Sequence, residues 1–289
     1  MEKPICLIAG ATDGIGKATA VALANKGFSL VLGARDAAKA EEVRREIASA
    51  TGNADIDYLI ADLRSLAQVR RLAETFRQRY PRLDVLINNA GIFAHQRVIT
   101  EDGYDATFQV NYLSLFYLTH LLLDELKKSR EGRIINLCSS VYANGKLDIQ
   151  NLPNKKLLST FASYANSKLL VLLFTIELAR RLEGTRVTAN AVHPGVVKTP
   201  MLLRAPGLFR IATYLTLPFA IAPEEGAATS VFLASSPDVR GVSGKYFTRS
   251  TETAFKTRFN TPEDREAVWD LTLRLLGLDA PRLRQVSGQ

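Results

Sequence analysis

A short apolar run at residues 5–9 passes directly into Gly10-Ala11-Thr12-Asp13-Gly14-Ile15-Gly16, and from there into a helical pattern at 15–26. A strand that meets a helix through three closely spaced glycines constrains a chain strongly. Small residues let the backbone approach a pyrophosphate, and the free N–H groups of the helix N-terminus stabilise its charge. Glycine turns also join strands to helices for purely structural reasons, so the surrounding pattern decides. Further apolar runs lie at 28–32, 58–61, 85–88, 133–138, 187–192 and 245–248, separated by helical patterns at 37–50, 66–80, 104–128, 162–183 and 223–235. Most runs are apolar on both faces, as parallel strands covered by helices on each side are.

This alternation predicts an α/β fold: a single doubly wound Rossmann domain, with a parallel sheet of about seven strands flanked by helices. No repeat, low-complexity tract or linker divides the 289 residues. The whole of 1–289 therefore reads as one domain, with an insertion near 142–160 and an apolar segment near 199–221. The excess of 37 Lys and Arg over 29 Asp and Glu, a net charge of +8, raises the question of a nucleic-acid partner. Half of it comes from 62–82, where Arg64, Arg70, Arg71, Arg77, Arg79 and Arg82 face only Asp62 and Glu74. Leu66, Val69, Ala73, Phe76 and Tyr80 in the same stretch fall at helical spacing, which predicts a solvated basic helix face and no nucleic-acid surface.

Two cysteines and three scattered histidines give neither a disulfide framework nor metal-ligand spacing, so no metal is expected. Cys6 and Cys138 fall on the first and fifth strands, and the order 3-2-1-4-5-6 puts the fourth between them. Two strand spacings, about 9.5 Å, exceed the ~7 Å limit for a disulfide. No run approaches the ~18 apolar residues of a membrane span. A cytoplasmic location with reduced thiols is the expectation.

The second strand closes on Leu32-Gly33-Ala34-Arg35. A carboxylate there would bond a ribose 2′-hydroxyl. Ala34 has none, and the Arg35 fork suits a phosphate, which points to NADP(H). A surface arginine ending a strand is the bland alternative.

With these features in place the chain resembles the short-chain dehydrogenase/reductase family. The motifs are Gly10-x-x-x-Gly14-Ile15-Gly16, Asp62-Leu63, Asn88-Asn89-Ala90-Gly91, Asn111, Ser139-Ser140, Tyr164-Ala165-Asn166-Ser167-Lys168 and Pro194-Gly195. His193-Pro194-Gly195, Pro223-Glu224-Glu225-Gly226-Ala227 and Trp269-Asp270-Leu271 with Leu275-Leu276-Gly277 resemble the retinol dehydrogenase-like members in particular. The resemblance implies cofactor contacts from Gly10, Thr12, Asp13, Gly14, Ile15, Gly16 and Arg35. It adds Asp62 and Leu63 beside the adenine, Asn89, Ala90 and Gly91 along the dinucleotide, and Pro194, Gly195, Val197 and Thr199 near the nicotinamide. Two departures stand out: Ala9 replaces the usual threonine, and Asp13 stands where some NADP-preferring members carry a basic residue.

Hydride transfer to a carbonyl leaves an alkoxide that needs a proton. Tyr164 and Lys168 lie four residues apart, one helical turn on a common face, where the lysine can tune the phenol and hold ribose hydroxyls. The resemblance assigns Ser140 to the substrate oxygen and Asn111 to a water that relays protons to Lys168. Taken singly, a Tyr–Lys pair on a helix or a serine at a strand end is ordinary; their joint order is not.

Together these features predict an NADP(H)-dependent oxidoreductase interconverting an apolar aldehyde or ketone and its alcohol, with Tyr164 as general acid/base. Reduction of a C=C bond in a pigment-like precursor, or a non-catalytic NADPH-binding regulator, are the alternatives. The segment near 199–221 reads as a lid over the small apolar substrate, with core packing and peripheral membrane contact as other readings. Leu169-Leu170-Val171-Leu172-Leu173-Phe174 is apolar all round, which suggests a homodimer through this helix, although the insertion could cover it within a monomer.

Overall fold

The computed structural model describes residues 2–94, 96–152, 159–199 and 220–278. The chain alternates β1 (Ile5–Ala9), α1 (Gly14–Asn25), β2 (Ser29–Ala34), α2 (Ala37–Thr51), β3 (Ile56–Ile60), α3 (Leu66–Arg79) and β4 (Val85–Asn88). A broken helical stretch follows: α4 (Ala106–Phe108), a π turn (Gln109–Leu113), α5 (Ser114–Leu121) and α6 (Leu123–Lys127). Then come β5 (Gly132–Leu137), α7 (Thr160–Arg181), β6 (Val187–His193), α8 (Pro223–Ser235), β7 (Tyr246–Thr248), β8 (Thr251–Glu252) and α9 (Pro262–Leu275).

Eight strands form one sheet in the order β3-β2-β1-β4-β5-β6-β7-β8. Every pairing from β3 to β7 is parallel, and β8 turns back antiparallel on β7. The strand beyond the expected seven is this two-residue hook, too short to leave an apolar run in the sequence. All five residues of β1 and all six of β5 are buried, because helices cover both faces. Cys6 and Cys138 are buried free thiols on β1 and just past the end of β5, with β4 between them. The helical pattern at 104–128 is interrupted by the π turn, which apolar spacing alone does not reveal.

Helix ends follow local chemistry. Asp13 caps α1 through Gly14 N and Asp36 caps α2 through Lys39 N, while Gly52 at φ 69° ends α2. On α3, Val69, Leu72, Ala73 and Phe76 are buried, and Arg70, Arg71, Arg77 and Arg79 are exposed. The basic face is thus solvated, as the periodicity predicts.

Helix α7 is the central element of one layer. It is long and apolar enough to meet the length and composition of a membrane span, yet 72% of its apolar window is buried inside the fold. The surplus apolar face that suggested a subunit contact is covered within the chain by α9. Trp269 packs against Phe116 at 4.8 Å and Phe174 at 6.0 Å between ring centroids, and the Arg181 guanidinium lies 4.5 Å over its ring. Tyr112 and Thr272 hydroxyls share a 2.6 Å hydrogen bond beside it. Buried Glu177 binds both Arg180 and Arg181 at 2.6 Å; burial opposes its ionisation, but the two arginines hold its carboxyl below the usual range.

Residues 153–158 of the insertion and 200–219 of the apolar segment lie outside the described residues. The described part of the insertion forms 3₁₀ turns at Ser140–Asn144 and Ile149–Asn151. It is pinned to α7 by the Lys146 N to Asn166 Oδ1 bond of 2.8 Å.

If α9 seals α7 in this way, Trp269→Ala removes a buried ring and should lower unfolding stability by about 3–5 kcal/mol. Urea denaturation would measure this, and a loss below ~1 kcal/mol would show the helix to be weakly attached.

Candidate active site

The C-terminal ends of β1, β4, β5 and β6 share one edge of the sheet, and the loops that leave them meet there. Gly10 (φ 79°) and Gly14 (φ 47°) adopt the left-handed backbone that favours glycine. Asn89 Nδ2 donates to Gly10 O at 2.6 Å, tying the loop after β4 to the loop after β1. A Cβ on Gly10 would lie 2.9 Å from Ala90 Cα, and one on Gly16 would lie 2.0 Å from Gly10 O. From the β6 side, a Cβ on Gly14 would lie 2.9 Å from Thr199 Cγ2. Val197 pairs with Ile221, and Gly195 turns at φ 89°. Residues from three distant motifs therefore converge on the N-terminus of α1, with Thr12, Ile15, Gly91 and Pro194 lying half-buried among them. A floor of small residues below a helix N-terminus fits a dinucleotide pyrophosphate.

Charged side chains are also arranged at the ends of β2 and β3. Burial opposes ionisation of Asp62, but the Arg64 fork and the more distant charge of Arg35 hold its carboxyl below the usual range. The Asp62 carboxylate is occupied by Arg64, at 2.6 Å, while its backbone N–H donates to Gln68. Leu63 O accepts from Ser114 Oγ at 2.6 Å. Asp13, acidic where some relatives are basic, is 3.1 Å from Lys39 Nζ. A cation is thus supplied there from α2, two residues into the helix that begins just after Arg35. Sequence reasoning missed Lys39, because its relation to Asp13 exists only once α1 and α2 pack together.

The catalytic candidates come from α7, β5 and the π turn. Lys168 is buried, donates to Leu137 O at 2.8 Å, and has Nζ 5.7 Å from the Tyr164 ring centroid. Burial pulls the Lys168 pKa down to about 8. Burial pushes the Tyr164 pKa up to about 12, opposed by a hydrogen bond from the Ser139 side chain. Asn111 sits inside the π turn, an irregularity common at functional sites. Its Oδ1 accepts from Ile92 N at 2.7 Å, and its Nδ2 donates to Ile92 O and to Ser167 Oγ. These three bonds use the side chain to hold the β4 loop to α7.

The assignment of Ser140 is corrected. Ser140 is exposed and begins the 3₁₀ turn, whereas half-buried Ser139 is the serine whose side chain meets Tyr164. The strand ends at Leu137, so the chain has already turned away by residue 140. Phe93, also unforeseen, packs on the Tyr164 ring at 5.2 Å and gives the site an apolar wall. Among the described residues no cluster of metal-ligating side chains is present.

Residues 4–206 match the short chain dehydrogenase family. Human retinol dehydrogenase 14 is 41% identical over 96% of this chain and 88% of its own length. A solved structure from Mycobacterium paratuberculosis superimposes with a TM-score of 0.76 at 28% identity, covering 96% of this chain and 95% of that one. A single-substitution variant of actinorhodin polyketide ketoreductase with NADPH does so with a TM-score of 0.66 at 26% identity, over 85% and 95% of the two chains. The family match and these relatives show that the chain belongs to the short-chain dehydrogenase family.

Proposed function

We propose that this protein is an NADP(H)-dependent oxidoreductase that interconverts an apolar aldehyde or ketone and its alcohol. The observation that carries the reading is the meeting of Tyr164, Lys168 and Ser139 at the sheet edge where the glycine loop forms its floor. Likeness to retinol dehydrogenase 14 and to a ketoreductase holding NADPH supports both the reaction class and the cofactor.

The residues present fit the dinucleotide. Gly10, Gly14 and Gly16 would hold the pyrophosphate at the N-terminus of α1, Asn89 to Gly91 would line the dinucleotide, and Pro194, Gly195, Val197 and Thr199 would lie near the nicotinamide. Arg35 and Lys39 would offer cations to a 2′-phosphate, and Lys168 would hold ribose hydroxyls. When bound, the cofactor supplies or accepts the hydride. Ser139 donates a hydrogen bond to the substrate oxygen and stabilises the charge that develops there. Tyr164, protonated at neutral pH as any phenol is and held more firmly so by burial, gives its hydroxyl proton to that oxygen. Lys168 remains largely charged at pH 7, and a cation beside the phenol eases the loss of its proton. Phe93 excludes water from one side of the phenol and favours apolar substrates.

NADPH consumption with a panel of apolar aldehydes and ketones tests the reading directly. Turnover supports it, and NADPH binding without turnover on any member would instead support a regulator. Tyr164→Phe should lower kcat for reduction by about 10²–10⁴-fold while NADPH affinity changes little; retained activity would remove Tyr164 from the chemistry.

Ser139→Ala should lower kcat by about 10²–10³-fold. Ser140→Ala keeps the backbone amide and should stay within about threefold of the parent, well under the effect of losing an oxyanion donor. The reverse order in the same assay would restore Ser140 to the catalytic role.

Arg35→Ala and Lys39→Ala should each raise the KM for NADPH by about 10- to 100-fold, as expected for loss of a charge-assisted hydrogen bond, and leave that for NADH unchanged. Equal effects on both cofactors would show that neither cation reads the 2′-phosphate.

A further inference from the structure

Strand β5 runs out of main-chain partners where the active site begins. Its last register pair with β6 is Leu137 with Val192, and Cys138 N donates to Val192 O at 2.8 Å. Two residues later the chain has entered its 3₁₀ turn, and Ser140 N donates to the imidazole Nδ1 of His193 at 3.3 Å. A side chain thus continues the ladder after the backbone has left it. Ser139 lies between these two anchors, both supplied by the end of β6, with its side chain on Tyr164. Accepting this amide requires a lone pair on Nδ1, so the neutral imidazole carries its proton on Nε2. Burial lowers the His193 pKa and so favours the neutral ring.

We propose that His193 is a positioning residue: by accepting the Ser140 amide at Nδ1, it fixes the direction in which Ser139 presents its hydroxyl to Tyr164 and the substrate oxygen. This rests on the reading that Ser139 and Tyr164 act on a carbonyl. His193 has no part in proton transfer here. An imidazole that merely filled space at the sheet edge could be replaced by any side chain of similar bulk.

The test uses His193→Leu, which keeps bulk without an acceptor, and His193→Asn, whose carboxamide oxygen can accept near the place of Nδ1. With NADPH and decanal, His193→Leu should lose about tenfold in kcat, with both KM values within about twofold, as expected for a lost hydrogen bond felt in the transition state. His193→Asn should recover kcat to within about threefold of the parent, the residual reflecting imperfect geometry. In parallel, hydrogen exchange of the NADPH-loaded protein reads the Ser140 amide, which should be protected in the parent and in His193→Asn and exchange faster in His193→Leu. Equal kcat in all three proteins, or equal losses in both variants, would overturn the proposal. If the parent reduces no aldehyde or ketone, the functional reading fails, while the exchange measurement still decides the anchor: unchanged protection in His193→Leu rejects it. Should His193→Leu not fold, His193→Ala gives the same two readouts.

Discussion

The close approach of two loops at the head of the sheet underlies everything else in the site. Asn89 Nδ2 reaches Gly10 O at 2.6 Å, and that carbonyl would lie only 2.0 Å from a Cβ on Gly16. No flexible neighbour can give way at Gly16, because the obstructing atom is backbone. The missing side chain lets α1 start directly beneath the loop and bring its free N–H groups to the sheet edge. From the other side Thr199 closes on Gly14. Parallel pairing of β1, β4, β5 and β6 makes this meeting possible, since it places four strand exits at the same edge.

A second constraint acts on α7. Its residues Tyr164 and Lys168 can hold fixed positions only if the rest of the helix is immobilised. Residues Leu169 to Phe174 are buried throughout, and α9 covers the flank with Trp269 and Thr272. Glu177 adds a polar anchor through Arg180 and Arg181, with Arg181 also stacked on Trp269. The C-terminal helix therefore contributes to the site without touching it. It restrains the helix that carries Tyr164 and Lys168.

Much of this was legible in the chain. The glycine spacing, the doubly apolar strands and the Tyr-x-x-x-Lys step each express a local rule, and the fold, the cofactor floor and the Tyr164–Lys168 pair follow from them. Features that depend on where a regular element stops were not legible. The family resemblance points to the second serine of the Ser139-Ser140 pair, and which of the two meets Tyr164 is decided only by the turn that follows the end of the ladder at Leu137. The π turn around Asn111 is hidden for a similar reason, since a residue inserted into a buried helix leaves its apolar composition unchanged. Lys39 and Asp13 meet across two helices, 26 residues apart. Only packing reveals that the acidic residue at 13 has a lysine beside it.

Burial moves the two central groups of the site in opposite directions, Tyr164 up to about 12 and Lys168 down to about 8. Each shift favours the neutral form, as desolvation requires. At pH 7 the consequences differ: the phenol keeps its proton, and the amine remains mostly charged. A protonated phenol is what the proposed carbonyl reduction requires, since the alkoxide it forms must take up a proton. In the reverse direction Tyr164 must ionise, and the Ser139 hydrogen bond works toward that against the effect of burial, with the Lys168 ammonium 5.7 Å from the ring centroid. Under the proposed function Ser139 would serve both directions, holding charge on the substrate oxygen in one and on the phenol in the other. A hydroxyl shared between two oxygens that exchange a single proton must be aimed accurately at both. That requirement explains why the two residues flanking Ser139 should be fastened to β6 where the regular ladder has come to its end.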